Sequence, residues 1–142
     1  MRKILLALCC MSLLASTLVA GSAHAQAGRS YAVNVTTSEG GEFTDCFTFN
    51  DDGTLLLAAL IDVLGWHRLN LDTKKNSFQA AAKTDNADGI SLAFSGKAKP
   101  NSIKADGFNP DDGVSFKVKG KKTDSCETVR IAGPNPWIRP RR

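Results

Sequence analysis

Few side chains in this sequence have the type and spacing that catalysis needs. Behind a predicted N-terminal leader, His67 is the single histidine, which excludes a metal site built on two histidines of one chain. A serine triad would have to use His67, yet the sequence contains no Gly-x-Ser-x-Gly turn. We therefore predict no catalytic residue, no metal ligand and no cofactor. A small barrel enzyme that uses His67 with Asp62 remains a hypothesis, ranked third after two non-catalytic functions.

Carboxylates occur in three pairs, at Asp51 and Asp52, at Asp85 and Asp88, and at Asp111 and Asp112. Paired carboxylates can cleave glycosidic bonds or bind calcium. Each pair here lies at or just before a glycine, where aspartate is favoured because its side chain bonds to the nearby backbone. We therefore interpret all three pairs as turns.

Two lysines are candidates for contact with a partner. Lys117 and Lys119 alternate with Phe116 and Val118, so the lysines should face outward from a strand. Outward lysines keep strands soluble, and a patch of them would also suit an acidic partner. The full set of candidate contacts with a ligand or partner is Lys117, Lys119 and, at a predicted strand end, Trp66 and His67.

The N-terminus predicts export. Arg2 and Lys3 precede an apolar run from residue 4 to residue 20, and small residues follow up to Ala25. A basic start, a short apolar middle and an Ala-x-Ala end are typical of a secretory signal peptide. We expect cleavage after Ala25, a mature chain of 142 − 25 = 117 residues, and a periplasmic or secreted location.

Removal of residues 1–25 leaves two cysteines, Cys46 and Cys126. In an exported protein such a pair predicts one disulfide, with two free thiols as the alternative. The bridge would close a loop of 80 residues, which constrains the unfolded chain by roughly 4–5 kcal/mol. Phe43, Phe47 and Phe49 share one parity and Cys46 has the other, so Cys46 should point outward or lie at a bulge.

The rest of the sequence between residues 26 and 132 indicates a single all-β domain. Apolar residues alternate with polar ones in successive short runs, and Asp, Asn, Gly and Pro separate the runs. The expected fold is an antiparallel meander. The residues predicted to face inward are Phe47, Phe49, Leu69, Leu71, Ile90, Leu92, Phe94, Val114, Phe116 and Val118.

An internal repeat refines this prediction. Residues 88–99 (DGISLAFSGKAK) align without gaps with residues 112–123 (DGVSFKVKGKKT), a period of 24 that fits one hairpin. Repeated hairpins, with a disulfide joining the ends, favour a small up-and-down barrel of about eight strands over the alternative of a β-sandwich. Residues 55–64 could form a buried strand or a short helix, and we favour a strand for their first half.

Residues 133–142 contain three prolines and three arginines, and predict an extended, mobile tail. The mature chain has 16 basic and 14 acidic groups, and without Arg139, Arg141 and Arg142 the balance is 13 to 14. The basic pI thus comes from the tail and does not indicate a nucleic-acid partner. Trp137 and these arginines could make a weak contact with an anionic surface.

The expected function is an exported, non-catalytic, monomeric β-barrel that binds a protein or a small ligand. The alternative is a periplasmic inhibitor of an exported hydrolase, either a protease or a lysozyme. The pattern is similar to that of small exported β-barrels in general. Ten large inward side chains would nearly fill an eight-stranded interior, which favours a partner on the surface.

Overall fold

A computed structural model describes residues 26–60, 68–81, 92–132 and 137. These residues form eight strands and one short 3₁₀ turn, Cys126–Thr128. The strands are β1 (Ser30–Thr37), β2 (Glu42–Phe49), β3 (Thr54–Leu57), β4 (Arg68–Lys74), β5 (Ser77–Ala81), β6 (Ala93–Ala98), β7 (Ser102–Asn109) and β8 (Val114–Thr123).

The strands close into one antiparallel barrel. Each strand pairs with the next in the order β1 to β8, and β8 returns to pair with β1. The closing register runs from Ser30 opposite Thr123 to Thr37 opposite Phe116. The prediction of an eight-stranded up-and-down barrel is confirmed, and the sandwich alternative is wrong. Each of the eight strands therefore has a neighbour on both sides, although β3 pairs with only three residues of β2, from Phe47 to Phe49.

The core follows the predicted alternation. Along β7 and β8, inward residues are buried and outward residues are exposed, as a sheet with one buried face requires. Every predicted inward residue within the described ranges is buried, and Ile90 lies outside those ranges. The interior is therefore packed with side chains from all eight strands.

The internal repeat corresponds to β6 and β8, and its shared glycine has one structural role. Gly96 and Gly120 occupy equivalent repeat positions, and both take the inward parity of their strands. A Cβ at Gly96 would overlap the carbonyl oxygen of Lys104, and one at Gly120 would overlap that of Ala32. Glycine is needed there because the neighbouring backbone passes too close for any side chain.

Two of the predicted Asp turns are confirmed. Gly53 and Gly113 have positive φ angles of 77° and 67°, which glycine adopts without a steric penalty. The amide of Gly53 donates to the carbonyl of Asn50 at 3.3 Å, and the amide of Gly113 donates to that of Asn109 at 2.9 Å. The Asp51–Asp52 and Asp111–Asp112 pairs thus lie in similar turns, and the second turn is one residue longer. The third pair, at 85 and 88, lies outside the described residues.

The ambiguous segment 55–64 contains both structures. Thr54–Leu57 is strand β3, and residues 58–60 are helical. The preference for a strand in the first half is confirmed, while residues 61–64 lie outside the described ranges. Across the described part of the chain, no helix combines the length and apolarity needed to span a membrane.

Candidate functional site

A carboxylate lies inside the barrel. Asp45 has the inward parity of Phe43 and Phe47 on β2, and its side chain is fully buried. Its Oδ1 accepts hydrogen bonds from the backbone amides of Cys46 (2.6 Å) and Ala59 (2.8 Å). Three N–H donors in all surround this carboxyl group, because its Oδ2 accepts from the indole Nε1 of Trp137 at 2.7 Å.

Burial dominates the electrostatics of this group. Loss of solvent raises the pKa of the Asp45 carboxyl, and the N–H donors of Ala59, Trp137 and Cys46 offset part of that effect. The donors stabilise the ionised form, whereas the apolar surroundings oppose it. A buried carboxylate is costly, so this residue is unusual for a position whose neighbours are phenylalanines.

The indole of Trp137 fills the space above this carboxylate. It is fully buried and contacts four phenylalanine rings. Its centroid lies 4.9 Å from that of Phe43 and 5.3 Å from that of Phe94, both edge to face. We call the pocket formed by Asp45, Phe43, Phe47, Phe94 and Phe116 the indole site.

The C-terminal segment contacts β2 on the outside of the barrel, five or more residues before Trp137 in the sequence. Residues 130–132 lie along the outer face of β2, where the amide of Thr44 donates to the carbonyl of Ala132 at 3.1 Å. The Thr44 hydroxyl also donates to the carbonyl of Arg130 at 2.9 Å. Ala132 is exposed and Trp137 is buried in the interior. The chain is therefore on the outside of the barrel at Ala132 and in its interior at Trp137.

The predicted disulfide is confirmed. Cys46 and Cys126 are bridged, with a Cα–Cα distance of 5.6 Å. Cys46 takes the outward parity, as predicted, but is fully buried because the segment that carries Cys126 covers it. The segment after β8 crosses β1, which lies between β8 and β2, and the bridge fixes this segment to β2. It thus ties the C-terminal segment to the wall, while hydrogen bonds between β1 and β8 close the barrel.

A row of lysines crosses the outer face of β6, β7 and β8. Lys97 lies opposite Lys104, and Lys104 lies opposite Lys119, so three ammonium groups are consecutive cross-strand neighbours. All three side chains are exposed. We call them the lysine row. In the next outward row, Lys117 lies opposite Asp106.

The lysine row continues into an open groove of about 460 Å³ beside the C-terminal segment. Two outward residues of β8, Lys119 and Lys121, line one side, and Arg130 lines the other. Asn34 and Thr44 form the floor. Three cationic side chains therefore surround one surface groove.

The structure describes only two of the four residues predicted to contact a ligand or partner. Lys117 and Lys119 are exposed on β8 as expected, whereas Trp66 and His67 lie outside the described residues, together with Asp62. The expectation for Trp137 needs correction. Its side chain is in the barrel core and not in a solvated tail, because the indole gains both a buried hydrogen bond and aromatic packing there. Arg139, Arg141 and Arg142 lie outside the described residues.

Sequence reasoning missed both polar partners of the indole site. The parity of Asp45 was a usable signal, since it is the same as that of Phe43 and Phe47. Trp137 gave no such signal, because one aromatic residue among prolines and arginines has no periodicity.

Within residues 26–60, 68–81, 92–132 and 137, no group of three metal-ligating side chains lies close enough together to hold a metal ion.

The fold and the plugged interior define a small closed barrel of eight antiparallel strands. No family model, no curated protein and no solved structure matches the chain.

Proposed function

We propose that this protein is an exported, non-catalytic barrel that binds an acidic protein partner through the outer face of β6, β7 and β8. The lysine row is the observation that carries the proposal. Side chains directly opposite each other on neighbouring strands have Cβ atoms about 4.5–5.5 Å apart, and like charges at that distance are destabilising. Lys104 has a lysine on each side, so the isolated protein bears this repulsion twice.

A partner with carboxylates would remove that repulsion on binding. The groove beside the row adds Lys121 and Arg130, so the positive surface extends from β6 to the C-terminal segment. Apart from the tail, acidic groups slightly exceed basic ones in the mature sequence. The positive face therefore reflects where the charges are placed and not the overall composition. Such a surface speeds encounter with acidic partners and rejects basic ones.

The packed interior supports a surface partner. Phe47, Phe49 and Phe116 are fully or almost fully buried, and Trp137 occupies the remaining space beside them. A partner at the wall needs no rearrangement of this core. A disulfide is typical of oxidising compartments, which agrees with a signal peptide ending at Ala25 and with a periplasmic or secreted location.

The test is binding of the mature protein, residues 26–142, to a poly-L-glutamate peptide at several salt concentrations. The variant Lys104→Glu/Lys119→Glu reverses the centre of the row. We expect it to bind the peptide at least about tenfold more weakly, because attraction becomes repulsion. Binding of the unmodified protein should also weaken as salt rises.

The matched control is Lys74→Glu/Lys75→Glu, which changes the net charge equally at the turn between β4 and β5. Two strands, β5 and β6, separate Lys74 from Lys104. It should retain most of the affinity. Equal losses in both variants would show that net charge alone attracts the peptide, and the proposed face would then be wrong. Capture from an envelope extract with the same variants then identifies the partner, and recovery of a protease or lysozyme would favour the inhibitor alternative.

A further inference from the structure

Trp137 occupies the barrel interior in the way a bound ligand would. Eight-stranded barrels have an interior wide enough for packed side chains or for one small ligand. Trp137 lies beyond the end of β8 in the sequence, and the rings that its indole contacts belong to the barrel wall. It is thus held in a pocket that the strands build and do not themselves fill.

The wall leaves room for this ring. Beside Phe94 and Phe116 of the indole site, β7 contributes Gly107, the smallest inward residue possible. The ring of Phe94 packs over Gly107, where even a Cβ would overlap it. The phenylalanine side chains therefore surround a central space that accommodates one planar ring system.

Asp45 gives the space a chemical preference. A pocket that only had to be filled would be more stable with an apolar residue in place of a buried carboxylate. Here Oδ1 is held by the amides of Cys46 and Ala59, and Oδ2 points to the indole nitrogen. The carboxylate is therefore pre-oriented to accept a hydrogen bond from an N–H group in the plane of an aromatic ring.

We infer that Trp137 is a displaceable plug, and that the indole site binds a planar aromatic molecule carrying an N–H donor when the plug withdraws. This goes beyond the proposed function, because the site is inside the barrel and separate from the lysine row. The strand pairing does not depend on the plug, since the barrel closes through β1 and β8. Withdrawal therefore leaves the wall intact.

The first test measures hydrogen exchange in the unmodified mature protein. A Trp66→Phe variant identifies which indole N–H resonance belongs to Trp137. The Trp137 indole N–H should exchange faster than the strand amides of Val33 and Val118, and its rate should depend little on denaturant, because only the plug opens. If all three protons exchange with the same denaturant dependence, the indole is released only by global unfolding and the inference is wrong.

The second test adds a ligand. In Trp137→Ala, indole should bind about tenfold more tightly than indene, which has the same shape but no N–H donor. The preference should shrink in Trp137→Ala/Asp45→Asn, where the charge of the acceptor is lost. Equal binding of indole and indene with Asp45 intact, or no binding of either, would overturn the inference.

A third measurement does not depend on the folding of any variant. Indole added to the unmodified protein should compete with the plug and speed exchange of the Trp137 indole N–H, whereas indene at equal concentration should have a smaller effect. No change with indole would contradict displacement. The variant Lys104→Glu/Lys119→Glu should behave like the unmodified protein here, which separates this inference from the proposed function.

Discussion

The indole nitrogen of Trp137 donates a 2.7 Å hydrogen bond to Oδ2 of Asp45, and 92 residues of sequence separate the two. This bond joins the C-terminal end of the chain to the second strand inside the barrel. The Cys46–Cys126 disulfide joins nearly the same two parts of the sequence on the outside. Successive residues of β2, Asp45 and Cys46, thus hold the C-terminal region on opposite faces of one strand.

Loss of the plug should lower stability by a limited amount. Truncation of a buried tryptophan to alanine costs about 3–5 kcal/mol. For Trp137→Ala we expect the free energy of unfolding to fall by about 3 kcal/mol, at the lower end of this range. A side chain that can leave its site without unfolding of the barrel contributes no more to stability than the free energy of its own docking. Urea unfolding of the two proteins measures this difference. Trp137→Phe keeps the aromatic contacts and should lose less, about 1–3 kcal/mol, through the unpaired Asp45 oxygen.

Stability should depend on pH through Asp45. Its pKa in the folded protein is raised above the usual aspartate value of 3.8. The unfolded chain then loses its proton at lower pH than the folded protein, so the contribution of this group is fully present below pH 3.8 and is lost as pH rises through the folded pKa.

The difference between the unmodified protein and Asp45→Asn isolates this contribution. The unfolding free energy of the unmodified protein, minus that of the variant, should fall between pH 4 and the raised pKa, and then become flat. Guanidinium unfolding of both proteins at several fixed pH values measures this difference. A difference that does not change with pH, or that grows as pH rises, would show that the carboxyl is not destabilised by burial.

The disulfide should stabilise the fold as a single bond. Cys46→Ala should lower the unfolding free energy by about 2–5 kcal/mol, and Cys126→Ala should cost nearly the same. The double variant should cost little more than either, because all three lose one bond. Denaturant unfolding of the three variants tests this, and clearly additive losses would contradict it. Since Cys46 is fully buried, thiol reagents should find no free cysteine before unfolding and reduction.

The repeated glycine should not tolerate even a methyl group. Gly120→Ala places a Cβ against the carbonyl oxygen of Ala32, and Gly96→Ala places one against that of Lys104. We expect each to cost about 1–3 kcal/mol, the usual range for overpacking. Ser95→Ala is the control, since Ser95 is exposed on the same strand as Gly96. Thermal unfolding measures all three, and a cost at Ser95 equal to that at Gly96 would argue against the steric cause.

The closed barrel could be predicted because side chains along a β-strand point alternately to the two faces of the sheet. Buried residues therefore recur at every second position of the sequence. The inward positions of β8, at Val114, Phe116 and Val118, are visible as alternation. The paired turns at Asp52-Gly53 and Asp112-Gly113 were equally visible, since positive φ requires glycine in most cases.

The indole site could not be predicted as a whole, because tertiary contact brings it together. Asp45 could have been found from parity alone. Trp137 is different, since proline and arginine neighbours normally indicate a solvated terminus. Its described contacts are one carboxyl acceptor and a group of rings spread over β2, β6 and β8, and no local pattern records that arrangement.

The short chain between Cys126 and Trp137 has a consequence for any ligand that competes for the indole site. Trp137 follows Cys126 by 11 residues, so a withdrawn indole stays tethered near the entrance. A chain of that length spans at most about 40 Å even when fully extended, which corresponds to an effective concentration in the millimolar range. A free ligand must therefore compete with the tethered indole of Trp137 for the indole site. Since β8 ends at Thr123, three residues before Cys126, the chain keeps the indole near the site even after reduction of the disulfide.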